Sequence, residues 1–227
     1  MSRAAVTVAA AAALLLPCAA NAGHGTVAYW AYLLRAAPVR AAPSPRAAVI
    51  AVVRTATPEG ESNLLRILDE RRDTTLRDWV RVDLAILPNS ETGWIPRDAL
   101  GDIHSVQTQL VIDRARLTAS LSRDGKVVFR AAIGIGTPDD PTPVGTFTVR
   151  ERLAGFDDPF YGPIAFGTSA RSAVLTDWPG GGFIGIHGTD QPDLIPGRIS
   201  HGCIRLRNPD IERLAALMPI GTPVTIR

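Results

Sequence analysis

The stretches Ile186-His187-Gly188-Thr189 and Ser200-His201-Gly202-Cys203-Ile204-Arg205-Leu206 bring two histidines, a cysteine and an arginine into one glycine-broken region of the chain. A cysteine acts as a nucleophile through its thiolate, which a nearby histidine or backbone N–H groups stabilise. Acyl transfer also needs donors aimed at a developing oxyanion, and a residue as small as Gly202 beside the nucleophile lets backbone amides approach a substrate carbonyl. Arg205 adds a fixed cation able to receive a carboxylate. Two plainer readings compete. His187, His201 and Cys203 are chemically reasonable zinc ligands, although neither a C-x-x-C pair nor a helical H-E-x-x-H accompanies them. The same residues also suit a Gly-rich turn that buries a few polar groups. Spacing alone leaves these alternatives open.

Outward from this region, Gly145-Thr146-Phe147-Thr148-Val149 and Phe183-Ile184-Gly185-Ile186 read as strands, with glycine and proline punctuating the loops between them. A domain begins near Val106, where Leu110 and Ile112 and then Val127 to Ile133 form strand-like runs joined around Asp124-Gly125, a two-residue hairpin signal. One helix follows the cysteine. Asn208 is placed to cap it, Pro209 suits its first position, and Ile211, Leu214, Ala215 and Met218 share a face. Pro219 and Gly221 end it, and Val224-Thr225-Ile226 supplies a last strand. The segment from Phe156 to Tyr161, containing Asp157-Asp158-Pro159, is either a lid or subsite near the cleft or an ordinary surface loop.

Upstream, β-favouring runs at Val49–Val53, Leu64–Leu68, Trp79–Val82 and Trp94-Ile95 alternate with turn clusters such as Thr57-Pro58-Glu59-Gly60 and Pro88-Asn89-Ser90. They predict a small all-β module over 49–101, in which a closed barrel would protect the strand edges. Trp79-Val80-Arg81-Val82 with Gly93-Trp94-Ile95-Pro96 resembles the end of a bacterial SH3-like domain. Its tryptophans are read as core in preference to a glycan or peptide contact. The stretch 23–48 is rich in Ala and Pro, with an aromatic patch at Tyr29, Trp30 and Tyr32, and reads as a spacer.

The start of the chain has Arg3, an apolar Ala-rich run from Ala4 to Leu16, and Ala20-Asn21-Ala22, which is the pattern of a cleavable secretory signal over 1–22. The apolar run is shorter than the roughly 20 residues that span a bilayer, so no membrane span is expected after cleavage. A lipidated Cys18 is the minor alternative, with Pro17 where a small residue would be expected. Loss of the signal leaves Cys203 as the only cysteine of the mature protein in an oxidising compartment, where an unpaired thiol needs a reason. The reason is either burial as a small apolar side chain or retained reactivity. A composition of 46% hydrophobic and 20% charged residues supports an ordinary globular core, and a net charge of +2 gives no footprint for nucleic acid.

Recognition separates the readings of the cysteine region. His187-Gly188-Thr189 and Ser200-His201-Gly202-Cys203-Ile204-Arg205 resemble the signature of the L,D-transpeptidase catalytic domain, the YkuD family. Thr142-Pro143-Val144-Gly145-Thr146-Phe147 and Asn208 reinforce the match, and Asp190 departs from it where many members carry Asn. The resemblance covers 106–227. Together with the upstream SH3-like resemblance it implies a mainly β protein: a small SH3-like barrel, then a β-sandwich or barrel catalytic domain with a short C-terminal helix. It further implies that Cys203 is acylated by a peptidoglycan stem peptide after its third residue, with His187 as base. The Gly188 carbonyl or Ser200 would hold the His187 ring, and the amides of Gly202 and Cys203 would form the oxyanion hole. His201, adjacent to Cys203, is the rival base and otherwise a structural or substrate-contacting residue, and Arg205 and Tyr161 would contact substrate. A second stem peptide would accept the acyl group, carbapenem-type β-lactams would acylate the same thiol, and no metal or organic cofactor is expected. The location implied is extracytoplasmic, in the periplasm or cell wall.

Overall fold

The computed structural model describes residues 27–57, 60–155, 157–175 and 182–227. The expected signal, including Cys18, lies outside the described residues, as does Phe156. The first part of the chain forms β1 (Ala28–Tyr32), β2 (Ala37–Arg40), β3 (Val49–Val53), β4 (Leu64–Arg72), β5 (Asp78–Asp83), β6 (Thr92–Pro96) and β7 (His104–Val106). Among the described residues these make one seven-stranded sheet, ordered β3-β2-β6-β5-β4-β1-β7, in which every pairing is antiparallel. This is consistent with an SH3-like module.

Two expectations change here. The stretch read as a spacer supplies β1 and β2, so the N-terminal sheet begins well before Val49. The sheet also runs open from β3 to β7, with no pairing between those ends among the described residues. The tryptophans of β5 and β6 are core residues: Trp79 and Trp94 are both buried, and Trp79 Nε1 donates to Asp73 Oδ2 at 2.9 Å.

The second part forms β8 (Thr108–Asp113), β9 (Thr118–Arg123), β10 (Lys126–Ala132), β11 (Gly134–Gly136), β12 (Gly145–Ala154), β13 (Ile164–Arg171), β14 (Phe183–His187), β15 (Gly197–Ser200), β16 (Ile204–Arg205), helix α1 (Asn208–Leu217) and β17 (Pro223–Ile226). Its sheet has ten strands among the described residues, ordered β10-β9-β8-β17-β12-β13-β14-β16-β11-β15. The hairpin turn is at Asp124-Gly125, both at positive φ (51° and 75°) as a type I′ turn requires. It joins β9 to β10, and β9 in turn separates β10 from β8. The alternating inward residues Leu110 and Ile112, Ala119 and Leu121, Phe147 and Val149 meet Ile211, Leu214 and Ala215 of α1 in one buried cluster. The helix therefore closes the core that the sheet curls around. No helix among the described residues is long and apolar enough to cross a membrane.

The two sheets are tied by buried polar contacts. Thr148 Oγ1 donates to Asp83 Oδ2 (2.7 Å) and accepts from Arg66 Nε (3.0 Å), while Thr57 Oγ1 donates to Glu151 Oε2 (3.0 Å). The Asn89 side chain bonds both backbone groups of Arg171, at 2.7 and 2.9 Å. At the other end Trp30, stacked on His104 with centroids 4.4 Å apart, lies so close to Gly221 that a Cβ there would fall 2.1 Å from its ring. Gly221 also sits at φ +82°, where a side chain is strained. We expect Gly221→Ala to destabilise the protein by about 1–3 kcal/mol through overpacking, read as a lowered midpoint in chemical denaturation. An unchanged midpoint would show that Trp30 swings aside at no cost.

Candidate active site

Sheet register assembles the site. β14 and β16 are parallel neighbours, with Ile186 opposite Ile204 and His187 opposite Arg205, and the Leu206 N–H extends the ladder to the His187 carbonyl at 2.9 Å. Cys203 directly precedes β16, so the two distant motifs become adjacent across one strand pair. Its Sγ accepts from the Gly185 N–H at 3.3 Å. A Cβ built on Gly185 would lie 3.8 Å from Cys203 Sγ and 3.9 Å from His187 Cδ2, so the thiol and the outer edge of the imidazole flank one point.

His187 is buried, and its Nδ1 bonds the Gly188 carbonyl at 2.7 Å. A carbonyl only accepts, so Nδ1 carries the proton and Nε2 keeps its lone pair. Gly188 is in turn fixed by close packing: a Cβ there would meet Asn208 Oδ1 at 2.4 Å and Gly162 Cα at 3.0 Å. Asn208, expected to cap α1, is instead its first residue, and its Oδ1 accepts from the Thr189 N–H at 2.9 Å. The helix start thus holds the loop that orients His187.

Ser200 does not hold the imidazole. Its Oγ donates to the Cys203 carbonyl at 2.5 Å and accepts from the Gly202 N–H at 3.2 Å, bracketing the turn that presents the cysteine. The Gly202 amide, expected in the oxyanion hole, is therefore already engaged. His201 is exposed at the rim of the pocket. Phe160 and Tyr161 belong to a short 3-10 turn, Pro159–Tyr161, started by Pro159 and by Asp158, which accepts from the Phe160 N–H at 2.9 Å. Both rings pack against His187, with centroids at 5.9 and 5.2 Å, so the Asp-Asp-Pro segment forms one wall of the site.

Arg205 is only 4% exposed and lies over the Phe160 ring at 4.2 Å. Its buried Nε has no hydrogen-bond partner, and the guanidinium makes no ion pair with a described residue. It faces the same pocket as His187 and Cys203. A buried cation with no contact ion pair among the described residues, offset by the more distant Asp190 charge, suits an anionic ligand.

Burial sets the protonation states. It pushes the His187 pKa down to about 4, with the Arg205 charge adding to the effect and the Gly188 carbonyl opposing it. Burial also pushes the Cys203 thiol up, against the Gly185 N–H and the Arg205 charge, which favour the thiolate. Arg205 itself is lowered by burial, with Asp190 among the groups that offset this. At neutral pH the pair is a thiol beside a neutral imidazole. Among the described residues no three His, Cys, Asp or Glu side chains converge to hold a metal ion.

A half-buried thiol, an oriented imidazole and a buried guanidinium thus face one pocket, a candidate site for cysteine chemistry. Residues 107–226, more than half of the chain, match the L,D-transpeptidase catalytic domain (YkuD), and the chain belongs to that family. It is 33% identical to the YkuD protein of Bacillus subtilis over 129 residues, covering 56% of this chain and 70% of that one. With YqjB of the same organism it shares 28% identity over 125 residues, 52% of this chain and 69% of the other. Among solved structures it is similar to the Enterococcus faecium L,D-transpeptidase C442S mutant (26% identity, TM-score 0.42, 53% of this chain and 49% of that one). It is likewise similar to Bdellovibrio bacteriovorus Bd1075 (29%, TM-score 0.43, 54% and 48%). The chain spans about half the length of these two structures.

Proposed function

We propose that the protein is an exported L,D-transpeptidase that cross-links peptidoglycan stem peptides through a thioester on Cys203. The observation that carries this reading is the Cys203 Sγ set on the Gly185 N–H beside a His187 whose Nδ1–H is held by the Gly188 carbonyl. In the first half-reaction Sγ attacks the carbonyl of the third stem residue while its proton passes to His187 Nε2. The C–N bond to the terminal D-alanine breaks, His187 returns the proton to the departing amine, and a thioester remains. In the second half-reaction the side-chain amine of another stem's third residue attacks the thioester, and His187 takes its proton and gives it to the released thiol.

Arg205 supplies recognition. The leaving D-alanine ends in a carboxylate, and a buried guanidinium with unclaimed donors binds such a group strongly. The Cys203 N–H, which has no partner among the described residues, is the backbone donor for the oxyanion. The alternative within the same chemistry is an L,D-carboxypeptidase, in which water takes the place of the amine.

The test is intact-protein and product mass spectrometry of the mature chain with a disaccharide-tetrapeptide. Alanine release with an adduct on Cys203 and cross-linked dimer is the expected result. Tripeptide without dimer moves the assignment to the carboxypeptidase. Neither product, with the thiol shown reduced, leaves a non-catalytic wall-binding protein. The same thiol should open carbapenem-type β-lactams, because they present a strained carbonyl, and absence of the mass adduct counts against that extension.

A further inference from the structure

Thr142 lies in the Thr-Pro-Val-Gly segment after β11, sixty residues before the nucleophile turn, yet its side chain reaches that turn. It is 1% exposed. Its Oγ1 accepts from the Gly136 N–H at 2.9 Å and bonds the Gly202 carbonyl at 2.7 Å. The direction of the second bond is fixed: the Gly136 N–H can only donate and the Gly202 carbonyl can only accept, so the single hydroxyl proton points at Gly202. Gly136 is pressed against this segment, since a Cβ on it would fall 2.6 Å from the Thr142 nitrogen, and the Thr142 carbonyl accepts from Arg114 Nη1 at 2.6 Å. Thr142 is thus anchored on both its side-chain and backbone atoms.

The Gly202 carbonyl belongs to the same peptide unit as the Cys203 N–H. That unit is trans, the cis bonds of the described chain being at Leu87-Pro88 and Ile195-Pro196. In a trans peptide the C=O and N–H point in opposite directions. Holding the carbonyl on Thr142, away from the pocket, therefore turns the Cys203 N–H the other way. Gly202, at φ +114°, lets the chain enter this orientation. Ser200 pins the next carbonyl, that of Cys203, so the peptide units on both sides of the nucleophile are held, each by one hydroxyl. With the Gly202 N–H already given to Ser200, the Cys203 N–H is the amide of this turn left for an oxyanion.

We propose that Thr142 is a positioning residue that aims the Cys203 N–H at the oxyanion of the acylation step. The proposal rests on the acyl-transfer reading of Cys203. Thr142 touches neither substrate nor thiol, so its loss should appear where charge develops on the carbonyl oxygen and nowhere else.

The test compares two reactions of the same cysteine: turnover of the disaccharide-tetrapeptide, which builds an oxyanion, and alkylation by iodoacetamide, which does not. Thr142→Val keeps the shape and removes the hydroxyl. It should lower kcat by about tenfold to a hundredfold, with KM and the alkylation rate unchanged within about twofold. Thr142→Ser, which keeps the hydroxyl, should restore kcat to within about threefold of the parent. A Val variant with parental kcat overturns the proposal, as does a parallel loss of turnover and alkylation, which would mark a collapsed turn. If Thr142→Val does not fold, the Ser variant decides: a kcat loss beyond about tenfold in a folded Thr142→Ser protein overturns the assignment. Parental turnover that survives Cys203→Ala would instead remove the acyl-transfer reading itself.

Discussion

Cys203→Ala should lower turnover of a disaccharide-tetrapeptide by on the order of 10⁴-fold or more, leaving no acyl adduct, because on the proposed thioester route deletion of the nucleophile removes the path and not merely a contact. Folding should be little affected. The thiol receives one weak backbone bond from Gly185, and the turn around it is held by Ser200 and Thr142, which the substitution leaves in place. His187→Gln should lose nearly as much, since in the proposed mechanism Nε2 accepts the thiol proton and the two residues act as a unit. His201→Gln is the internal control: His201 adjoins the cysteine in sequence, yet its side chain is exposed at the rim, so turnover should fall about tenfold at most. Equal losses for the two histidine variants would reopen the choice of base, and a fully active Cys203→Ala protein would remove Cys203 from the reaction and with it the thioester reading.

The juxtaposition of Cys203 with His187 was expected only from the resemblance of their two motifs to the YkuD signature. Phe183-Ile184-Gly185-Ile186 reads as a strand, but β16 is just Ile204–Arg205, too short to show a period, so the register that sets the motifs side by side is visible only in the fold. The Asp124-Gly125 turn and the inner face of α1 were legible from the residues themselves, each resting on local backbone preference or period. β1 and β2 were not, because Ala and Pro hide a strand. Pro38 is tolerated because β2 meets β6 at one pair only, Arg40 with Trp94, so its missing N–H breaks no long ladder. β9, Thr118-Ala119-Ser120-Leu121-Ser122-Arg123, alternates small and polar residues and offers only Ala119 and Leu121 to the core. Asn208 carried two compatible meanings. A residue that caps helices is also one that can accept from a neighbouring loop, and only the fold shows that Thr189 is that neighbour.

The alkylation rate of Cys203 by iodoacetamide should climb about tenfold per pH unit, on the order of a hundredfold from pH 7 to pH 9, and keep rising beyond. Burial raises the thiol above its ordinary range and lowers His187 to about 4, so neither the thiolate nor the imidazolium is stable at rest. A rate flat between pH 5 and 9 would instead reveal a preformed thiolate–imidazolium pair. The same burial has a consequence for stability, with the opposite direction of pH. The folded His187 is depressed below the ordinary value near 6.5, so between about pH 6.5 and 4 the unfolded chain binds a proton that the folded protein refuses. Its contribution to stability is complete above pH 6.5 and is lost as the pH falls through 4, amounting to about 3 kcal/mol. Chemical denaturation at pH 7 and pH 4 should therefore show a larger drop for the parent than for His187→Gln, the carboxylates common to both cancelling in the comparison. Together the two experiments distinguish a site that stores charge from one that creates it only during attack. In the second kind the oriented Nδ1–H, the Gly185 N–H and the Cys203 N–H must be in place before the substrate arrives, because no resting ion pair is there to draw them together.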